Sequence, residues 1–175
     1  TLVAFAGYDS DTGGFDLVER ADWIAAFDMQ YLLGMDGLSA PMLLLNGILG
    51  VAAVLVSWGV SHRSNEFFMW LLVLQGAVMG VFASLDLILF FVFWELELVP
   101  MFFLISVWGT GRKEYSAVKF LIFTFLGSAF MFVAILTLYF SLPGAERTFD
   151  MMALADYELA GFILPAGLIF TGFLI

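Results

Sequence analysis

The sequence predicts an all-α fold, a polytopic transmembrane helical bundle, and three observations carry that expectation. Of the 175 residues, 63% are hydrophobic and only 13% charged, whereas a soluble fold covers itself with about 25% charged residues. Mean hydropathy is +1.04. The chain also holds 21 Phe, five Trp and five Tyr, a content that suits a lipid-facing surface and would leave aggregating patches on a soluble domain.

Crossing the hydrocarbon takes roughly 20 apolar residues at about 1.5 Å rise each, because lipid cannot satisfy free backbone groups. Residues 1–37 read as the end of a preceding helix, Leu2 to Ala6, followed by an acidic external loop. Within that loop, Phe15-Asp16-Leu17-Val18 and Met29-Gln30-Tyr31-Leu32 are compatible with a small hairpin, and the Gly-rich, acidic composition is equally compatible with coil. The first span is expected at 38–60, entered through Asp36, Gly37 and Ser39, with Pro41 in the first turn where a missing N–H costs nothing. The second, 67–83, and the third, 85–108, form a tight hairpin with its turn at Ala83 to Asp86. A fourth is expected at 115–140, then an external loop at 141–158 and the start of a further span at 159–175. The chain opens on Thr1 rather than Met and stops at Ile175 inside an apolar run, so it reads as a piece of a longer membrane protein. No secretory signal or internal repeat is visible.

Charge is sorted by loop length. The short loops, 61–66 and 109–114, hold His62, Arg63 and Glu66, then Arg112, Lys113 and Glu114, with Lys119 a turn further on. The long loops, 7–37 and 141–158, hold only Arg20 and Arg147 against a crowd of acids such as Asp9, Asp16, Glu19, Asp22, Asp36, Asp150 and Glu158. The positive-inside rule makes the short loops cytoplasmic and the long loops external, across a cell (plasma or inner) membrane. With six Lys plus Arg against 16 Asp plus Glu and a formal charge of −10, no basic stripe exists to neutralise phosphates, and nucleic acid is excluded as a partner. The absence of Cys rules out disulfides, thiolate metal sites and Cys-held iron–sulfur clusters in these residues.

The segment that points to chemistry is Phe90-Phe-Val-Phe-Trp94-Glu95-Leu-Glu97-Leu-Val-Pro100-Met101. Glu95 stands about 15 Å from the start of its helix, near mid-bilayer, where a carboxylate costs on the order of 2.5–3.5 kcal/mol and a functional role is the default. Pro100 leaves the Leu96 carbonyl without its helical partner and favours a kink one turn past Glu95. Glu97 lies roughly 200° around the helix from Glu95, so the two acids face different surroundings. Lys119 is too shallow by roughly 14 Å for a direct salt bridge to Glu95, leaving a water-mediated coupling or an anchoring role at the headgroups. Asn46, Gln75, Thr124 and Ser128 are polar within spans and suit the lining of a hydrated path, but packing is their more ordinary use: hydroxyls back-bond and a lone amide joins helices. Asp86 suits a helix cap rather than a relay. His62 sits alone in a polar loop, and Gly109-Thr-Gly111 reads as a helix stop without nucleotide-binding spacing.

The run Asp86 to Met101, with Ser106-Val-Trp108-Gly109 and Ala117-Val-Lys119-Phe120 after it and Leu33-Gly-Met-Asp36-Gly-Leu-Ser39 before it, resembles antiporter-like subunit M (subunit 4) of respiratory complex I and its photosynthetic relatives. The resemblance covers about residues 22–175, and in the sister subunits L and N the Val-Pro-Met and Trp-Gly elements differ. It implies part of an antiporter-like inverted-repeat fold of about fourteen helices, and a proton-translocating membrane subunit of NADH:quinone oxidoreductase. By that resemblance Glu95 matches the family's mid-membrane glutamate, Lys119 matches a lysine at the start of the following helix, and a lysine-bearing broken helix follows Ile175. Glu95, Lys119 and Glu97 are thus the expected proton-transfer residues, with Pro100 as the kink. NADH, flavin, iron–sulfur clusters and quinone would belong to partner subunits, with no cofactor in this chain. Its partners would be other membrane-arm subunits, subunits L and N among them, and lipid. The same fold serves membrane-bound hydrogenases and Na⁺/H⁺ antiporter complexes, and a non-transporting membrane scaffold is the remaining alternative.

The sign-sorting of the loops has a direct test. Single cysteines at Arg112 and Thr148, introduced one at a time and probed with a membrane-impermeant thiol reagent in right-side-out cells, should label at position 148 and not at 112. The opposite pattern inverts the topology.

Overall fold

The computed structural model describes Phe5, Gly7 and residues 14–24, 29–144 and 147–155. Helices dominate: α1 (Ser39–Val56) runs on into a short 3₁₀ turn, Ser57–Gly59, and is followed by α2 (Ser64–Ala83), α3 (Leu87–Trp108), α4 (Lys113–Ser141) and a single turn, α5 (Met151–Ala155). The first four are long and apolar enough to cross a membrane. The further span expected at 159–175 lies outside the described residues. Successive helices antiparallel to one another follow from the short connections, and each packs chiefly on its sequence neighbours, α2 on α3 and α3 on α4 most extensively.

The helices begin and end where backbone groups find partners. The Asp36 carboxylate accepts the N–H groups of Leu38 (3.2 Å) and Ser39 (2.6 Å) at the entry to α1. Burial draws the Asp36 acid upward, but hydrogen bonds from Ser39 and Leu38 outweigh it and hold the group below the usual carboxylate range. Helix α2 starts a turn earlier than its apolar run: Arg63, left-handed at φ 48°, offers its carbonyl to the N–H groups of Glu66 and Phe67, and its guanidinium pairs with Glu66. The polar residues Ser64, Asn65 and Glu66 therefore form a first helical turn rather than loop. Helix α4 likewise starts at Lys113, whose ammonium donates to the Val107 carbonyl at 2.7 Å and so covers the C-terminus of α3. Gly111, at φ 70°, makes the left-handed reversal between the two. The Trp108 indole donates to the His62 carbonyl at 2.7 Å, joining the two short loops.

The acidic end is more built than loop composition implies. Strands β1 (Asp16–Ile24) and β2 (Met29–Met35) pair antiparallel, with register shifts between Asp16 and Glu19 and between Asp22 and Ile24. This hairpin is seated on the α2–α3 turn: the Leu85 N–H donates to the Leu32 carbonyl (2.9 Å), and the Gln30 N–H donates to the Asp86 carboxylate (3.2 Å). The far side of the turn is covered by residues 149–151, through Leu87 N–H to the Phe149 carbonyl (2.9 Å) and Met151 N–H to the Leu85 carbonyl (2.8 Å). Arg20 of β1 reaches Asp150 at 2.5 Å and closes the cap. Beneath it, Phe149 stacks on Tyr139 at 4.3 Å and joins Ile88, Met131 and Ile135 in the buried core between α3 and α4.

Outside this core the surface is apolar. Val56 is 87% exposed and Leu72 65% exposed, values that water would penalise at about 25 cal/mol per Å² and that lipid or further helices satisfy. Where helices do touch, they come close: a Cβ on Gly80 would stand 2.3 Å from the Phe93 ring, so Gly80 lets α2 and α3 meet at the level of the carboxylates.

Asp86 is 1% exposed. It accepts from the N–H groups of Ile88 (2.8 Å) and Leu89 (3.0 Å) as well as Gln30. Burial raises its pKa above the usual carboxylate range, and the neighbouring Asp150 adds to that, against the three backbone donors. Asp86→Ala should lower stability by about 2–4 kcal/mol, because two buried N–H groups and one half-buried one lose their acceptor. Asp86→Asn, which keeps an oxygen for α3 and turns an amide toward Gln30, should cost less than the alanine change. Thermal unfolding of the detergent-solubilised protein reads both; equal midpoints for Asp86→Ala and wild type would remove the cap from the account.

Candidate functional site

Helix α3 brings the candidate residues to its middle. Glu95 is ninth and Glu97 eleventh of its 22 residues, and the helix continues unbroken through buried Pro100. Pro100 supplies no N–H to the carbonyl one turn back, so the backbone is left one bond short next to the two acids.

Glu95 is half-buried, and its Oε1 is buried with no hydrogen-bond partner among the described residues. One turn before it on the same side, Phe91 packs against Phe132 of α4 with ring centroids 4.8 Å apart. Glu95 therefore belongs to the side of α3 that turns toward α4. An unpartnered buried oxygen in that setting is costly, at about 1–3 kcal/mol or more.

Glu97 has different surroundings. It lines a cavity of about 490 Å³ that α3 shares with α1, α2 and α4. The α3 contribution is Trp94, Glu97, Leu98 and Met101, spaced as one helical face. Asn46 comes from α1, Gln75 from α2, and Thr124 and Ser128, one turn apart, from α4. Asn46 and Gln75 join their helices reciprocally: the Asn46 amide donates to the Gln75 carbonyl (3.3 Å) and the Gln75 amide to the Asn46 carbonyl. Gly50 makes room for this, since a Cβ there would stand 2.7 Å from the Gln75 side-chain carbon. Thr124 donates back to Phe120 (2.8 Å) and Ser128 to Phe125 (3.1 Å). The packing uses expected for these four residues are all observed, and the same four line the cavity that Glu97 lines. The signal was in the sequence: α1 and α2 each carry an amide and α4 a hydroxyl pair well inside the span, and only the packing shows that they line one cavity.

The structure does not bring Lys119 to either acid. It is exposed, and among the described residues it makes no ion pair with Glu95 or Glu97. With α4 starting at Lys113, Lys119 stands about 9 Å along its helix and Glu95 about 20 Å from the same end of α3, so a gap of roughly 11 Å remains. His62 is exposed, and its backbone carbonyl accepts from the Trp108 indole. Asp86 caps α3.

Comparison with known proteins agrees with this architecture. The family described as "NADH:quinone oxidoreductase/Mrp antiporter, TM" matches residues 84–175. NAD(P)H-quinone oxidoreductase chain 4 of Acaryochloris marina is 39% identical over 98% of this chain and 31% of its own length. A chain 4 of Picosynechococcus sp. is 42% identical over 96% of this chain and 31% of its own. Respiratory complex I from Thermus thermophilus with bound NADH superposes with a TM-score of 0.81 at 27% identity, over 98% of this chain and 34% of that one. The membrane-bound sulfane sulfur reductase, an archaeal respiratory complex, shares the fold with a TM-score of 0.70 at 21% identity. The chain spans about a third of the length of the curated relatives it matches. With four membrane-crossing helices, a mid-helix pair of carboxylates and relatives near 40% identity along almost its whole length, this multi-pass membrane chain belongs to the NADH:quinone oxidoreductase/Mrp antiporter transmembrane family.

Proposed function

We propose that the chain is part of a proton-translocating membrane subunit of an NAD(P)H:quinone oxidoreductase and that Glu95 is its proton-loading group. The observation that carries this is the buried Oε1 of Glu95, unpartnered among the described residues, midway along a helix whose only other charged residue is Glu97. A carboxyl in hydrocarbon takes a proton when a neighbouring positive charge withdraws and gives it up when the charge returns. Such a group needs an oxygen that is not already committed to a structural hydrogen bond, and Glu95 offers one.

The other residues serve this exchange. Pro100 loosens the backbone one turn beyond Glu95, where water or a side chain enters. Lys119, at the shallow end of α4, couples to the acids through water rather than by contact. The chain carries no redox centre of its own in this reading: NADH, flavin, iron–sulfur clusters and quinone are handled by partner subunits, and the neighbouring antiporter-like subunits L and N flank it in the membrane arm. The membrane is the cell's plasma or inner membrane, with the Arg- and Lys-bearing short loops on the cytoplasmic face. Membrane-bound hydrogenases and cation antiporter complexes use the same fold, and the soluble subunits that co-purify with the full-length chain distinguish them; the identity to chain 4 relatives supports the oxidoreductase.

Glu95→Gln keeps size and hydrogen-bonding capacity but abolishes titration. In the assembled complex it should leave subunit composition intact and slow proton transfer through this subunit by roughly 10²–10⁴-fold, with quinone reduction slowing alongside in a tightly coupled enzyme. Proton uptake by vesicles and quinone reductase activity, measured on the same membranes, decide the matter. Normal assembly, normal activity and an unchanged proton-to-electron ratio would make Glu95 a structural acid and the chain a scaffold.

A further inference from the structure

Below the Asn46–Gln75 clasp, α1 and α2 part. In the external half they are close-packed, where Ala40 and Leu43 of α1 bury themselves with Met35 against Met79 and Ala83 of α2. From mid-membrane to the short loop that joins the two helices the packing stops: no residue of α1 beyond Asn46 and none of α2 before Ala77 is buried. Two hollows occupy the opening, of about 350 and 530 Å³, and they adjoin at Val54 and Leu72, which line both. Together they make one slot. Its floor is at Gly47 and Gln75, and its mouth is at Trp58, Val60 and Ser64. Along either helix, from Gly47 to Trp58 or from Gln75 to Ser64, the slot is about 16 Å deep at the usual rise. That is one leaflet of a hydrocarbon core about 30 Å thick.

The depth and the lining select the occupant. A further transmembrane helix would run the full thickness and is about 10–12 Å across with its side chains, whereas this slot closes at mid-membrane. An acyl chain of one leaflet ends at that depth. The walls carry no charge, and their polar side chains are Gln75 at the floor and Trp58 and Ser64 at the mouth, Trp58 at the level where indoles meet headgroups. Between the lining residues Val60 and Ser64 lie Ser61, His62 and Arg63. Arg63 is exposed, and its Nε and one terminal nitrogen donate to Glu66, which leaves the other terminal nitrogen for a phosphate. The Trp108 indole holds this loop through the His62 carbonyl and ties it to the loop of Arg112 and Lys113. Four basic residues at this end, Arg63, Arg112, Lys113 and Lys119, stand against two acids, Glu66 and Glu114, so a negative headgroup is favoured here. We propose that the slot between α1 and α2 seats one anionic phospholipid of the leaflet on the short-loop side, with its phosphate at Arg63 and an acyl chain reaching to Gln75. Gln75 also lines the cavity beside Glu97, so the end of that chain rests against a wall of the cavity. The proposal stands apart from the proton-translocation reading.

The test uses the assembled full-length complex in its native membrane. Leu72 is 65% exposed and lines both hollows. With p-benzoylphenylalanine in place of Leu72, illumination inserts the probe into whichever C–H bond lies against it, and mass spectrometry of the peptide identifies the partner. The expected product is a phospholipid adduct in which anionic headgroups are several-fold enriched over their share of the lipid extracted from the same membranes. Arg63→Asn, which tolerates the left-handed backbone at that position, should return the adduct to the membrane's own headgroup composition. Val54→Trp, which fills the slot where the hollows adjoin, should cut the lipid adduct several-fold. A crosslink to a peptide of this or another subunit, or no lipid adduct at all, would overturn the proposal in favour of a protein-covered or closed face. A lipid adduct of average composition in the otherwise wild-type chain would overturn it in favour of ordinary boundary lipid, and enrichment unchanged in Arg63→Asn would overturn the headgroup assignment. None of these outcomes bears on Glu95, whose test is proton uptake.

Discussion

A single carboxylate, Asp86, settles how the first turn of α3 meets everything above it. Its two oxygens receive the N–H groups of Ile88 and Leu89 from the helix and of Gln30 from β2. Without an acceptor there, two buried donors at the end of a membrane-crossing helix and a half-buried one on β2 would be left bare. The same turn pairs with residues 149–151. The starting point of α3, and hence the depth of every residue along it, is therefore set by the cap rather than by the apolar run itself, whose chemistry is nearly uniform from Leu87 to Phe93.

That anchoring explains why the two acids differ. Residues two apart on a helix point to nearly opposite sides, and the stripe Trp94, Glu97, Leu98 and Met101 has found a cavity while the stripe through Ile88 and Phe91 has found the aromatic and aliphatic core against α4. Glu95 lies on the second stripe and pays for it with an oxygen that has no partner among the described residues.

Much of this was legible before any coordinates, because the hydrocarbon core permits so few backbone solutions. The four spans follow from apolar length alone; their ends moved by a few residues where polar side chains, Ser64 to Glu66 and Lys113 with Glu114, supply the first turn. Mid-helix Glu95 and Glu97 followed from counting along α3. The hairpin was legible only as an even alternative to coil: β1 is exposed along most of its length, so no alternating burial marks it, and β2 is held by a turn 50 to 60 residues further on. The residues that share a cavity with Glu97 were harder to group for a related reason. Asn46, Gln75, Thr124 and Ser128 each look like ordinary packing residues within their own helix, and only three-dimensional convergence gives them a common neighbour.

The shortness of the Ser84-Leu85-Asp86 link between α2 and α3 has a consequence for biosynthesis. Helix α3 must enter the bilayer bearing two acids, each of which opposes insertion by on the order of 2.5–3.5 kcal/mol at the helix centre, against a favourable average hydropathy of 2.2. Three residues leave no slack for α2 to settle while α3 waits at the surface, so the natural unit of insertion is the pair. Gly80 and Phe93 already fit together within that pair, and Glu97 reaches the membrane interior beside α2 rather than bare to lipid on every side.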